Sequence, residues 1–143
     1  MHACVSCEGF PLTIQIFCGK DYDNHHFLEL MKDVKIRTDG RPRTRPLEVL
    51  ADPAYDDVKI RQYLRSRRIQ SNIPMNPRNT KTRKRGRPTR FDSVSYNRRG
   101  AIERFFGWLK MRFRRLVIRY ERLNVVFKGL LDIACFMVSW KKI

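Results

Sequence analysis

The chain has 143 residues, 42% of them hydrophobic, which suits one domain with a modest core. Its 31 Lys+Arg against 14 Asp+Glu give a formal charge of +17, which points to a polyanionic partner, nucleic acid above all. The most apolar stretch, Val125 to Trp140, is shorter than the ~20 residues of a membrane span and carries Lys128 and Asp132, so no membrane role is expected.

The first element is a hairpin: His2 to Cys7 and Phe10 to Phe17 are apolar strands about a Glu8-Gly9 turn. Cys4 and Cys7 form a C-x-x-C, yet no second Cys or His pair stands at zinc-finger spacing, and His25 and His26 are too few. They read as adventitious thiols of a reducing cytoplasm, since no secretory signal precedes them. Asp21 and Asp23 are expected to cap a helix over 24–34, built on Phe27, Leu28, Leu30 and Met31. A basic connector leads to a strand at 47–51, then a helix at 56–68 with Asp56 as its N-cap, then a strand at 69–73.

From Val58 to Phe91 there is no Asp or Glu, while Lys and Arg number twelve. Within it, residues 75–90 read as a flexible linker, rich in Pro, Asn and cations and too poor in apolar residues to pack. Its Arg-Gly-Arg-Pro core (Arg85 to Pro88) resembles an AT-hook, a short minor-groove motif; the other reading is non-specific phosphate contact through Arg83, Lys84, Arg85 and Arg87.

Next comes a long helix, expected over 95–119 with Ser95 as its cap, because no proline occurs from Tyr96 onward. On a wheel with Tyr96 at zero, Arg99, Glu103 and Lys110 fall near 300°, 340° and 320°. Ile102, Phe105, Phe106, Leu109, Phe113 and Leu116 occupy roughly 180° to 280°, and Arg104, Arg112, Arg115 and Arg119 roughly 80° to 160°. The helix thus has a core face, a basic face and a narrow mixed stripe of phenol, carboxylate and cations. A last helix over 124–141 is expected to be buried against the sheet. The alternation of β and α elements after the hairpin places the chain in the α/β class.

The mixed stripe admits two readings. Glu103 can be an ordinary helix glutamate paired with Arg99 or Lys110, and Asp52 an ordinary strand-end residue before Pro53. Alternatively, a carboxylate flanked by two cations and a phenol suits a metal ion and a phosphodiester.

The spacing Tyr96-(2)-Arg99-(3)-Glu103-(6)-Lys110 resembles the C-terminal signature of bacterial insertion-sequence transposases of the DDE class. Val49 to Asp56 resembles the segment bearing that family's second catalytic Asp, and Ile36 to Pro46 its preceding connector. The resemblance implies an RNase H-like fold in which Asp52 and Glu103 are the second and third acidic ligands of a two-Mg²⁺ site. It implies that Arg99 and Lys110 hold phosphates and that Tyr96 stacks on a base or positions a phosphate. The implied partner is DNA, both transposon ends and target, and the intact enzyme is expected to be a homo-oligomer.

In the family the first Asp lies on a first strand that precedes the hairpin, and this sequence resembles the family only from the hairpin onward. The expectation is a catalytic fold truncated before that strand, with unpaired strand edges, and a chain incompetent for transposition alone. It would be a decayed remnant, or the downstream half of an enzyme completed by an upstream-frame product. The alternative is a non-catalytic basic DNA-binding protein that competes for transposon ends or titrates full-length transposase. A general RNA-binding role finds no stacking platform or RNA module in its support.

Overall fold

The computed structural model describes residues 1–17, 22–79, 90–118 and 121–140. Strands β1 (His2–Val5) and β2 (Pro11–Gln15) form the expected antiparallel hairpin. Gly9 takes φ 86°, a left-handed conformation that glycine adopts without Cβ strain, and its N–H donates to Ser6 O at 2.8 Å. The register shifts between Cys4 and Val5, leaving Leu12 as the extra residue. As a result Cys4 and Leu12 pack toward one core cluster, whereas Ala3, Val5, Ile14 and Ile16 pack toward another.

A 3-10 turn (Asp23–His26) leads into α1 (Phe27–Asp33). The residue before the turn is Tyr22, which makes no side-chain cap bond, and Asp21 lies outside the described residues. Strand β3 (Glu48–Leu50), helix α2 (Val58–Ser66) and strand β4 (Gln70–Asn72) make a right-sized β-α-β unit with parallel strands, Leu50 level with Asn72. The cap of α2 differs from expectation. Asp57, not Asp56, accepts from Lys59 N at 2.7 Å.

Asp56 is instead buried. Its Oδ1 lies 2.6 Å from Arg61 Nε, and its Oδ2 accepts from Asn76 N at 2.8 Å. Arg61 also donates to Ile73 O at 2.9 Å. This pair ties the loop before α2 to the segment after β4. Residues 75–79 are therefore held down, with a 3-10 turn at Pro77–Asn79, although the stretch was expected to be linker. Residues 80–89, with Arg83, Lys84, Arg85 and Arg87, lie outside the described residues.

The helix expected over 95–119 is segmented. It begins with α3 (Ser93–Tyr96), tightens to a 3-10 turn at Asn97–Arg99, continues as α4 (Gly100–Arg112), breaks at Phe113 and ends as α5 (Arg114–Val117). Its cap is Asp92, whose Oδ1 accepts from Val94 N and Ser95 N, while Ser95 is buried. At the break Phe113 takes ψ 79°, and Phe113 and Leu116 still pack against the second core cluster.

Helix α6 (Asn124–Trp140) buries only one face, through Phe127, Leu131, Ala134 and Val138, an i, i+4, i+7, i+11 series. That face packs with Ile14 of the hairpin, while Ile133, Phe136 and Trp140 on the other side are exposed.

The core forms two clusters. Phe27, Met31, Val34, Ile60, Leu64, Ile69 and Ile73 join α1, α2 and the β3–β4 unit. Phe105, Leu109, Leu131, Ala134 and Val138 join α4 and α6 against Ile14 of the hairpin. Helices thus cover both faces of the hairpin, a layered mixed α/β arrangement. The β1–β2 and β3–β4 pairs are separate sheets among the described residues.

Candidate functional site

Asp52 follows β3 directly, at the carboxyl end of a parallel strand, where open α/β folds gather their ligands. Its backbone C=O accepts from Tyr55 N at 2.9 Å, so the turn holds the residue while the side chain stays half-exposed.

The segment from Asp92 is docked beside that strand end by two polar clamps. Asn72, 1% exposed, donates from Nδ2 to Asp92 O at 2.8 Å and accepts from Asp92 N at 3.0 Å. Ser95 Oγ donates to Glu48 Oε2. An amide side chain satisfies a backbone N–H and C=O at once only in one orientation, so the clamp sets both position and direction.

This docking brings Tyr96, Arg99 and Glu103 to Asp52. Arg99 Nη1 lies 2.6 Å from Asp52 Oδ1, and Arg99 Nη2 lies 3.0 Å from Glu103 Oε1. The ordinary helix pairing of Glu103 with Arg99 is present, but the same guanidinium also reaches a carboxylate on another element. The Arg99 guanidinium carbon sits 5.6 Å from the centre of the Tyr96 ring, which packs in turn against Phe91 at 5.2 Å. Burial pushes the Tyr96 phenol above its ordinary value; Arg99 opposes the rise, and Asp52 and Glu103 add to it. The carboxylate side chains are 50% and 66% exposed, and both remain accessible to a cation or a phosphate-bearing ligand.

Lys110 is exposed on α4, two turns beyond Glu103 and about 10 Å along the helix axis. It extends the same stripe without joining the cluster. Among the described residues no group of three or more His, Cys, Asp or Glu is placed to hold a metal ion. Cys4, Cys7 and Cys135 are free thiols, and burial raises the Cys4 thiol to about 11. A groove of about 430 Å³ between α4–α5 and α6 is lined by Arg112, Arg114, Arg115, Phe113, Leu116 and Ile133 among others, with no acidic residue. Asp52 and Glu103 do not line it. No described helix is long and apolar enough to cross a membrane.

Sequence reading missed the clamps. Asn72, at the end of the strand expected over 69–73 and beside Ile73, was a signal, because an amide buried there needs partners. Asp92-Ser93-Val94-Ser95 was another, an Asx cap one turn ahead of the one expected.

The strand-end Asp, the helix-borne Glu and the arginine between them are the arrangement in which the family comparisons find their place. A family model described as the transposase DDE domain matches residues 1–138, and the chain belongs to that family. A Brucella ovis protein described as a transposase assigned to insertion sequence element IS6501 is 31% identical over 139 residues, covering 96% of this chain and 95% of its own length. A Burkholderia cepacia protein described likewise for element IS402 is 33% identical over 141 residues, 97% of this chain but 61% of its own length. The chain therefore spans about three fifths of that longer relative. No solved structure matches the chain.

Proposed function

We propose that the chain is the part of an RNase H-like transposase catalytic domain that supplies two of its three acids, Asp52 and Glu103, for metal-dependent DNA cleavage and strand transfer. The observation that carries this reading is the convergence of a strand-end Asp and the Glu of the helix signature on one guanidinium. The donor set fits Mg²⁺, which takes one or two carboxylates and completes its shell with water and substrate phosphate. When bound, divalent ions activate the attacking oxygen and stabilise the leaving one. The protein's own part is to present the two carboxylates at one strand end and to hold the phosphates. Arg99 does so through its fork, Lys110 as a point charge further along the stripe, and Tyr96 backs Arg99 with its ring. The basic segment holding Arg83, Lys84, Arg85 and Arg87 adds sequence-independent phosphate contacts. DNA, as element ends and target, is the substrate, and the working enzyme is a homo-oligomer.

A third acid is not among the described residues around this pair. On this reading these 143 residues bind DNA but carry out strand transfer only together with the first strand and its acid, on the same polypeptide or on another. The same observation favours a second reading, a DNA-binding protein without catalysis that competes with full-length transposase.

Strand transfer assays with Mg²⁺ separate the two. The chain alone is expected to bind DNA without joining it. Adding a polypeptide that carries the first strand and its Asp should restore joining, and Glu103→Ala should then abolish joining while leaving DNA binding intact. Failure of any such addition to restore joining favours the second reading. Loss of DNA binding in Glu103→Ala would make Glu103 a structural residue and refute the catalytic one.

A further inference from the structure

The most specific contact in the site is the two-sided engagement of Arg99. Its two terminal nitrogens hold one oxygen of Asp52 and one of Glu103, at 2.6 and 3.0 Å. These are the two carboxylates assigned above to metal, and the inference rests on that reading. A guanidinium between two carboxylates does for them what a shared metal ion would: it draws them together and offsets their repulsion. One positive charge leaves the pair with a net negative charge, whereas a divalent ion would balance both. The guanidinium and a metal ion compete for the same oxygens, and as like charges they repel each other within one cradle.

Arg99 also has somewhere to go. It sits 5.6 Å from the centre of the Tyr96 ring, and its side chain is 29% exposed. Tyr96 is anchored by Phe91, and the segment that carries it by the Asn72 and Ser95 clamps. Release from the carboxylates would leave the guanidinium stacked on a fixed ring, with its fork free for a phosphate.

We propose that Arg99 is a surrogate cation: it holds Asp52 and Glu103 together in the metal-free protein and is exchanged for a divalent ion when a DNA phosphate takes the guanidinium. Metal and DNA binding are then coupled through one side chain. Because coupling is reciprocal, DNA tightens metal binding to the same degree that metal tightens DNA binding. The device keeps the metal site weak in the absence of substrate. Arg99 is a positioning residue in the free protein and a phosphate ligand in the complex.

The test is Mn²⁺ titration of the full chain, read as loss of the free-ion electron paramagnetic resonance signal, with and without a short DNA duplex. Asp52→Asn/Glu103→Gln protein serves as the background to be subtracted. Arg99→Gln is expected to bind Mn²⁺ about tenfold more tightly than the unaltered protein without DNA, within the usual range of coupling. DNA is expected to tighten Mn²⁺ binding in the unaltered protein and to have little further effect in Arg99→Gln. This second difference is one that a simple change of local charge would not produce. Arg99→Lys keeps the charge but cannot span both oxygens, so it should fall between the two. It also serves as the check should Arg99→Gln misfold.

Equal or weaker Mn²⁺ binding by Arg99→Gln would overturn the proposal, because the metal would then use the other carboxylate oxygens beside a stationary Arg99. Equal DNA enhancement in both proteins would overturn it as well. Mn²⁺ binding that survives Asp52→Asn/Glu103→Gln unchanged would sink the assignment of those carboxylates to metal, a different failure from that of the exchange.

Discussion

Replacing Asn72 with alanine tests whether one buried amide holds the two halves of the site in register. Asn72 makes two hydrogen bonds to the backbone of Asp92, at 2.8 and 3.0 Å, and is 1% exposed. Each such bond contributes about 1 kcal/mol net, and stranding a buried backbone donor or acceptor adds a desolvation cost of similar size. The Asp92 carboxylate still caps Val94 and Ser95, and Ser95 still reaches Glu48, so the segment should loosen without detaching entirely. The expected loss is about 3 kcal/mol, a large share of the stability of a domain this size. With a urea dependence of about 2 kcal/mol per molar, the unfolding midpoint should fall by about 1.5 M. Native-state hydrogen exchange should show the loss of protection centred on the amides of Val94, Ser95 and Tyr96, all of which donate to Asp92. A midpoint shift below about 0.5 M, with protection at those amides unchanged, would refute the clamp as the feature that docks the signature helix.

Asp56 and Asp57 should separate cleanly in the same urea assay. Asp56→Ala strands Arg61 in a largely buried setting and should cost about 3–4 kcal/mol, whereas Asp57→Ala removes a surface cap and should cost about 1 kcal/mol; the reverse order would restore Asp56 as the cap. Alkylation at pH 8, mapped by mass spectrometry, should mark exposed Cys7 well before Cys4 and Cys135, whose thiols are both raised to about 11. Equal labelling of Cys4 and Cys7 would contradict the packing of the hairpin. The raised Tyr96 phenol holds its proton more firmly in the folded state, so its contribution is fully present below the unfolded value of about 10 and is lost as pH rises through the folded one. Tyr96→Phe should therefore lessen the alkaline fall in stability, and an unchanged alkaline limb would show that Tyr96 does not drive it.

Features set by short sequence separation were legible without coordinates. The Gly9 turn, the helical identity of the Tyr96–Lys110 segment, its apolar stripe through Phe105 and Leu109, and the pairing of Arg99 with Glu103 follow from backbone preference and helix repeat. Those rules act within one or two turns of chain. They also misplaced what packing overrides: Asp56 has the look of a cap yet is drawn inside by Arg61, and Ser95 yields the cap to Asp92 because its hydroxyl serves Glu48. The break at Phe113 was not legible, because the apolar stripe runs through Phe113 and Leu116 without interruption.

The sequence by itself thus determined the charge, the order of elements, the family likeness and the stripe on the signature helix. Tertiary structure decided that Asp52 meets that stripe, and that it does so through Arg99. No periodicity links a strand end to a helix so far along the chain. Their meeting depends on parallel pairing of β3 and β4 and on the Asn72 clamp, contacts whose loop-closure cost is met only when the whole layer packs.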